Sequence, residues 1–179
     1  MKLFTPLFAS LAITSLLTAL TLPAFAQSAQ QVLPLTTDDI EKFRSFNRWD
    51  ILRNNTRGHC LGTKSDESGV VQIGMTADES MGYVGAFVKE DGAEWASNSV
   101  TIRVGNEPFT GVASGPVGNL GSGWHGGYVL SDKKKLRRAL QMSDTVTAFP
   151  NRPYVVKLNI AGAYTAIYEI LKCTEGMTN

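Results

Sequence analysis

The chain has 179 residues, 43% of them hydrophobic and 18% charged, with a formal net charge of +1. That balance supplies a core for one domain and excludes a strongly basic nucleic-acid binder. After the first 26 residues, no stretch holds the ~20 continuous apolar residues that a membrane-spanning helix needs.

Lys2 opens a short positive region, and Leu7 to Leu22 is apolar apart from small hydroxyl residues such as Ser10, Thr14, Ser15 and Thr18. Pro23 ends that stretch, and Ala24-Phe25-Ala26 places small residues at the two positions a signal peptidase reads. Residues 1–26 are therefore expected to be a cleavable secretory signal, short enough to suit a bacterial chain bound for the periplasm. The remaining 153 residues carry 16 basic and 16 acidic side chains and are expected to be soluble, with no global charge drive toward nucleic acid or anionic lipid. Residues 27–35 read as a polar, proline-containing flexible leader, and residues 36–179 as a single β-rich domain.

Thr37 followed by Asp38, Asp39 and Glu41 predicts a short helix that buries Ile40 and Phe43 and runs to about Phe46. From Trp49 onward the signals are β. Trp49 to Arg53, His59 to Thr63, Val70 to Met75, Tyr83 to Val88, Ser99 to Val104 and Pro108 to Ala113 are extended segments between turn residues. Ser114 to Gly127 holds six glycines around Trp124 and His125 and is expected to be a long loop, followed by a brief strand from Tyr128 to Leu130. Ser131 or Asp132 then caps a helix with Leu136, Ala139 and Leu140 on one face and Lys133, Lys134, Lys135, Arg137 and Arg138 elsewhere. Thr145 to Phe149 and Tyr154 to Ile160 form a closing hairpin, and a last helix follows Gly162 with Tyr164, Ile167, Tyr168 and Leu171 at helical spacing. The predicted fold is mainly β: an antiparallel β-sandwich or partly open barrel with two or three short helices.

Cys60 and Cys173 are the two cysteines. In an oxidising compartment an even count favours one disulfide, which here ties an early strand to the final helix.

Candidate chemistry is sparse. His59 and His125 are the only histidines, and zinc-ligand spacings are absent, so neither a metal nor a cofactor is implied. Gly111 to Gly115 lacks the Gly-x-Ser-x-Gly spacing of a nucleophile elbow, which leaves Ser114 or Ser122 with His125 as the alternative hydrolase reading. The glycines from Gly118 to Gly123 lack the lysine or the strand–helix context of a phosphate loop. Asn54-Asn55-Thr56 matches a glycosylation sequon but reads as a turn. Two features remain as partner-binding candidates. One is Trp124 with His125 in the glycine-rich segment, since a large aromatic there can anchor a partner. The other is the basic helix with Lys133, Lys134 and Arg137, for which lipopolysaccharide or an anionic lipid is the candidate ligand.

The order of these features resembles one family. Trp49 opens a strand, Cys60 lies in the next, and a helix follows with Lys133-Lys134-Lys135-Leu136 and Ala139-Leu140. The strand Thr145-Val146-Thr147 precedes Val155-Val156-Lys157-Leu158 and Ala161-Gly162-Ala163-Tyr164. From Trp49 to Leu171 this is similar to the invasion-associated locus B family, small β-rich periplasmic or surface proteins. The resemblance implies an envelope role at the host–microbe surface and carries no catalytic residues. The expectation is a non-enzymatic envelope protein that binds an envelope or secreted protein or component through the Gly115–Gly127 segment, with Trp124 as the apolar anchor and the basic helix assisting at the rim. An inhibitor of a cell-wall enzyme is a further alternative.

Overall fold

The computed structural model describes residues 32–76, 80–89, 99–114, 123–150 and 155–177. The strands are β1 (Ile40–Phe46), β2 (Trp49–Asn54), β3 (His59–Asp66), β4 (Gly69–Met75), β5 (Met81–Lys89), β6 (Ser99–Val104), β7 (Glu107–Ser114), β8 (Trp124–Asp132), β9 (Thr145–Ala148) and β10 (Val156–Asn159). The helices are α1 (Lys133–Gln141) and α2 (Ala163–Glu175). The strands pair in the order β1-β2-β3-β4-β5-β8-β7-β6-β9-β10 and all these pairs are antiparallel. Between β7 and β8 the ladder narrows to three residue pairs, from Val112 with Tyr128 to Ser114 with Gly126. There the order folds over, setting six strands against four in a β-sandwich without barrel closure. Gly111 permits that approach, because a Cβ on it would stand 2.1 Å from the Tyr128 carbonyl oxygen.

The sandwich interior is filled by Trp49, Ile51, Ile73, Val84, Ile102, Val129, Val146 and Leu158, all buried. α1 adds Leu136 and Leu140, and α2 adds Ala166, Ile167 and Ile170. Cys60 and Cys173 form the expected disulfide, with their Cα atoms 5.9 Å apart. The Cys60 N–H also donates to the Thr174 hydroxyl at 2.9 Å, so strand and helix are joined twice at one point. In α2 the buried face is Ala166, Ile167, Ile170 and Cys173, while Tyr164 and Tyr168 point outward.

The predicted helix at Thr37 is not formed: residues Ile40–Phe46 are strand β1. Register shifts between Lys42 and Arg44, which leaves Phe43 as an extra, unpaired residue in the ladder. That bulge interrupts the two-residue alternation, and the three-residue spacing of Ile40, Phe43 and Phe46 imitates a helix. Asp38, expected as a first-turn acid of that helix, is used otherwise. Its carboxylate accepts from the Leu35 N–H, the Asn54 amide and the Arg57 guanidinium at 2.8–3.2 Å. Asn47 and Arg48, at φ of 46° and 66°, then make the tight turn into β2.

The predicted loop from Ser114 to Gly127 and the brief strand after it also need correction. Trp124 to Gly127 belong to β8, a strand of nine residues, while residues 115–122 lie outside the described set. Glycine suits this strand at position 126 because Phe87 of β5 lies opposite it, and two further cross-strand pairs also set an aromatic opposite a glycine, Tyr128 with Gly85 and Tyr83 with Gly74. Each ring lies over its glycine, where a Cβ would come within 2.8 Å of it. Such pairs restore the packing that glycine alone removes from a sheet. Together Tyr83, Phe87 and Tyr128 build a second apolar cluster with Leu52, Leu61 and Val70. Leu33 packs against it and Pro34 is buried, so residues 32–35 of the expected leader lie on the domain.

Candidate binding surface

α1 begins where β8 ends. The Asp132 carboxylate accepts from the Lys134 and Lys135 N–H groups at 2.9 and 3.1 Å, which caps the helix as the sequence predicts. Burial of Leu136 and Leu140, about 2 kcal/mol each, fixes the helix rotation. The residues a turn apart on the outer side are then Lys134, Arg137, Arg138, Gln141 and Met142, spaced i, i+3, i+4, i+7 and i+8. Met142 closes the stripe and is 77% exposed.

Two shallow grooves meet on this stripe. One, about 690 Å³, is lined by Lys134, Arg137, Arg138, Gln141, Met142 and Tyr164. The other, about 640 Å³, shares Lys134, Arg138 and Met142 and extends to the β6–β7 turn at Gly105 and Asn106. Lys135 and Glu107 line this second groove as well, as an ion pair, with the Lys135 ammonium 2.8 Å from the Glu107 carboxylate and 5.0 Å from the centre of the Phe109 ring. No carboxylate among the described residues pairs with Lys134, Arg137 or Arg138.

α2 supplies the aromatic border. Tyr164 and Tyr168, one turn apart, meet edge to face at 5.5 Å with their hydroxyls 3.2 Å apart. The Arg137 guanidinium lies 6.0 and 5.7 Å from the two ring centres. Hydrogen bonding with Tyr168 and then with Arg137 lowers the Tyr164 hydroxyl below its ordinary pKa, and the same contact with Tyr164 raises that of Tyr168. Arg137 is thus oriented by two rings, a cation–π arrangement that limits its rotamers.

The residues expected to bind from sequence do not form one surface. Trp124 and His125 open β8, whereas Lys133, Lys134 and Arg137 follow its far end, about 26 Å away along a nine-residue strand. Trp124 is half-buried against the chain's own second apolar cluster. His125 is half-buried and faces Val88 in the β5–β8 ladder. For the hydrolase alternative, Ser114 pairs with Gly126 beside His125, and Ser122 lies outside the described residues. His59 is buried, with its Nε2 3.1 Å from the Val32 carbonyl oxygen, and burial depresses its pKa. Asn54 of the sequon is also buried, between Asp38 and the Arg57 N–H. No cluster of three or more metal-ligating side chains occurs among the described residues.

Tyr164, Tyr168, Gln141 and Met142 are the surface residues that sequence reading missed. A helical projection of Lys133 to Met142 would have found the stripe, because Leu136 and Leu140 define the opposite face. The α2 contribution needed the tertiary structure. Comparison of the chain with protein families, curated proteins and solved structures finds no match.

Proposed function

We propose that this chain is a non-enzymatic exported protein of the cell envelope that binds an anionic envelope component through the outer face of α1. The observation that carries the reading is the run of three cations, Lys134, Arg137 and Arg138, on one helical face without carboxylate partners among the described residues. A helix packed by Leu136 and Leu140 needs a solvated side, but it does not require that side to carry three clustered cations bordered by aromatics. The disulfide supports an oxidising compartment, and no helix among the described residues is long and apolar enough to cross a membrane. The signal-like first 26 residues and the resemblance to the invasion-associated locus B family support the same placement, in the periplasm or at the cell surface.

Vesicle co-sedimentation tests it. The oxidised mature protein is expected to partition onto phosphatidylcholine vesicles containing phosphatidylglycerol and to stay off pure phosphatidylcholine. Replacing Lys134, Arg137 and Arg138 together by glutamine is expected to lower that partitioning about a hundredfold, at about 1 kcal/mol for each cation near an anionic surface. Equal sedimentation with both vesicle types would remove the reading.

A further inference from the structure

We infer that the α1 stripe is a seat for a phosphomonoester-bearing amphiphile, its phosphate on Lys134, Arg137 and Arg138 and its apolar part against Met142 and Tyr164. The inference rests on the binding reading above and names the ligand chemistry of that site.

Geometry on the helix selects the phosphate. Arg137 and Arg138 are neighbours in sequence, and each lies one turn beyond Lys134, at i+3 and i+4. The three side chains line one groove over a single helical turn, with about 5–6 Å between the Cβ atoms of residues a turn apart. A phosphomonoester brings three terminal oxygens and close to two negative charges, one acceptor for each head. A phosphodiester brings two free oxygens and one charge, and so meets the three heads with less charge and fewer acceptor sites. Guanidinium forks suit phosphate by pairing two N–H donors with two oxygens. The rings of Tyr164 and Tyr168 hold Arg137 near this position before any ligand arrives, which reduces the ordering cost of binding. Lys135 does not take part, because Glu107 and Phe109 already hold it.

The end of the stripe selects an amphiphile over free phosphate. Next after the cations come Gln141, a polar donor, and then Met142, the most exposed of the large hydrophobic side chains described. Tyr164 lines the same groove. An adaptable thioether beside a phenol ring suits an acyl or glyceryl stem. Inorganic phosphate would leave both untouched.

The test compares vesicles of phosphatidylcholine carrying phosphatidic acid with vesicles carrying phosphatidylglycerol, matched in total charge, using the oxidised mature protein. Phosphatidic acid is expected to bind about tenfold tighter, through the additional charge-assisted hydrogen bonds. That preference is expected to fade as pH falls below about 6, where the phosphomonoester takes up its second proton. Lys134→Gln and Arg138→Gln should abolish the preference. Arg137→Lys should weaken it with charge unchanged, and Lys135→Gln should leave it intact. Met142→Ser should weaken vesicle binding without altering competition by inorganic phosphate. Circular dichroism and a thiol count on each variant would confirm that the fold and the disulfide persist.

Binding to both anionic lipids with equal strength would overturn the inference and leave the broader function standing. Binding to neither would overturn both. Complete displacement by inorganic phosphate, with Met142→Ser indistinguishable from the wild type, would reduce the site to a simple anion site. Tighter binding to duplex DNA than to phosphatidic acid vesicles would assign the stripe to a different partner.

Discussion

Tyr128 lies across Gly85, its direct partner on the neighbouring strand, so closely that a Cβ on the glycine would stand 2.4 Å from the ring. Gly85→Ala is therefore expected to destabilise the domain by about 1–3 kcal/mol through overpacking. Tyr128→Ala combined with it should cost clearly less than the sum of the single changes, since the clash goes with the ring. Urea titrations of the four proteins measure both effects. Strict additivity would mean that the pair does not share the space.

Opening the disulfide should be the most costly single change. Cys60 and Cys173 are 113 positions apart, and closing a loop of that size contributes about 4–5 kcal/mol through the unfolded chain. Denaturation of oxidised and reduced protein reads the difference. A midpoint that does not move on reduction would contradict this account.

Acid should loosen the segment before β1. Burial would raise the Asp38 carboxyl, but hydrogen bonds from Arg57, Asn54 and the Leu35 N–H outweigh it and hold the pKa below the ordinary carboxylate value. A depressed carboxyl stabilises the fold above its unfolded pKa, near 3.9, and this contribution is lost as pH falls through the folded value. Asp38→Asn should cost about 2 kcal/mol at neutral pH, for lost charge-assisted hydrogen bonds, and should flatten the stability profile below about pH 4. An unchanged acid limb would assign the acid sensitivity to another group.

His59 acts in a higher pH range. Its ring is buried, and that burial lowers its pKa below the ordinary histidine value. The unfolded chain therefore takes up the proton first, so stability declines as pH falls below about 6.5 toward the folded value. His59→Gln removes this slope, readable as the urea midpoint across that range. A slope that survives the substitution would clear His59 of the effect.

Trp124→Ala separates the two candidate surfaces. Trp124 is about 26 Å along β8 from the start of α1 and packs on its own apolar cluster. The substitution should lower stability by about 1–3 kcal/mol, a cavity cost reduced by partial exposure, and leave binding to anionic vesicles unchanged. Loss of vesicle binding with the fold intact would return the site to the β8 start.

Local patterns were enough for much of the architecture. Alternation at Val100, Ile102 and Val104, the Gly105-Asn106 turn, the Asp132 cap and the faces of α1 depend on contacts within a few residues, so they can be read directly. The pairing of Cys60 with Cys173 follows from their being the only two cysteines. The errors have a common cause in partners distant along the chain. Phe43 stands out of the ladder only because of how β1 meets β2, and Gly126 is a strand residue only because Phe87 lies opposite. The site divides in the same way. Lys134, Arg137 and Arg138 share a face by helical period alone. Their meeting with Tyr164 and Tyr168, and the removal of Lys135 by Glu107, required the sandwich to close and bring α2 and β7 beside α1. The sequence by itself determined α1, most of the strands and the charges they carry; packing between elements decided β1, the length of β8 and which of those charges stayed available.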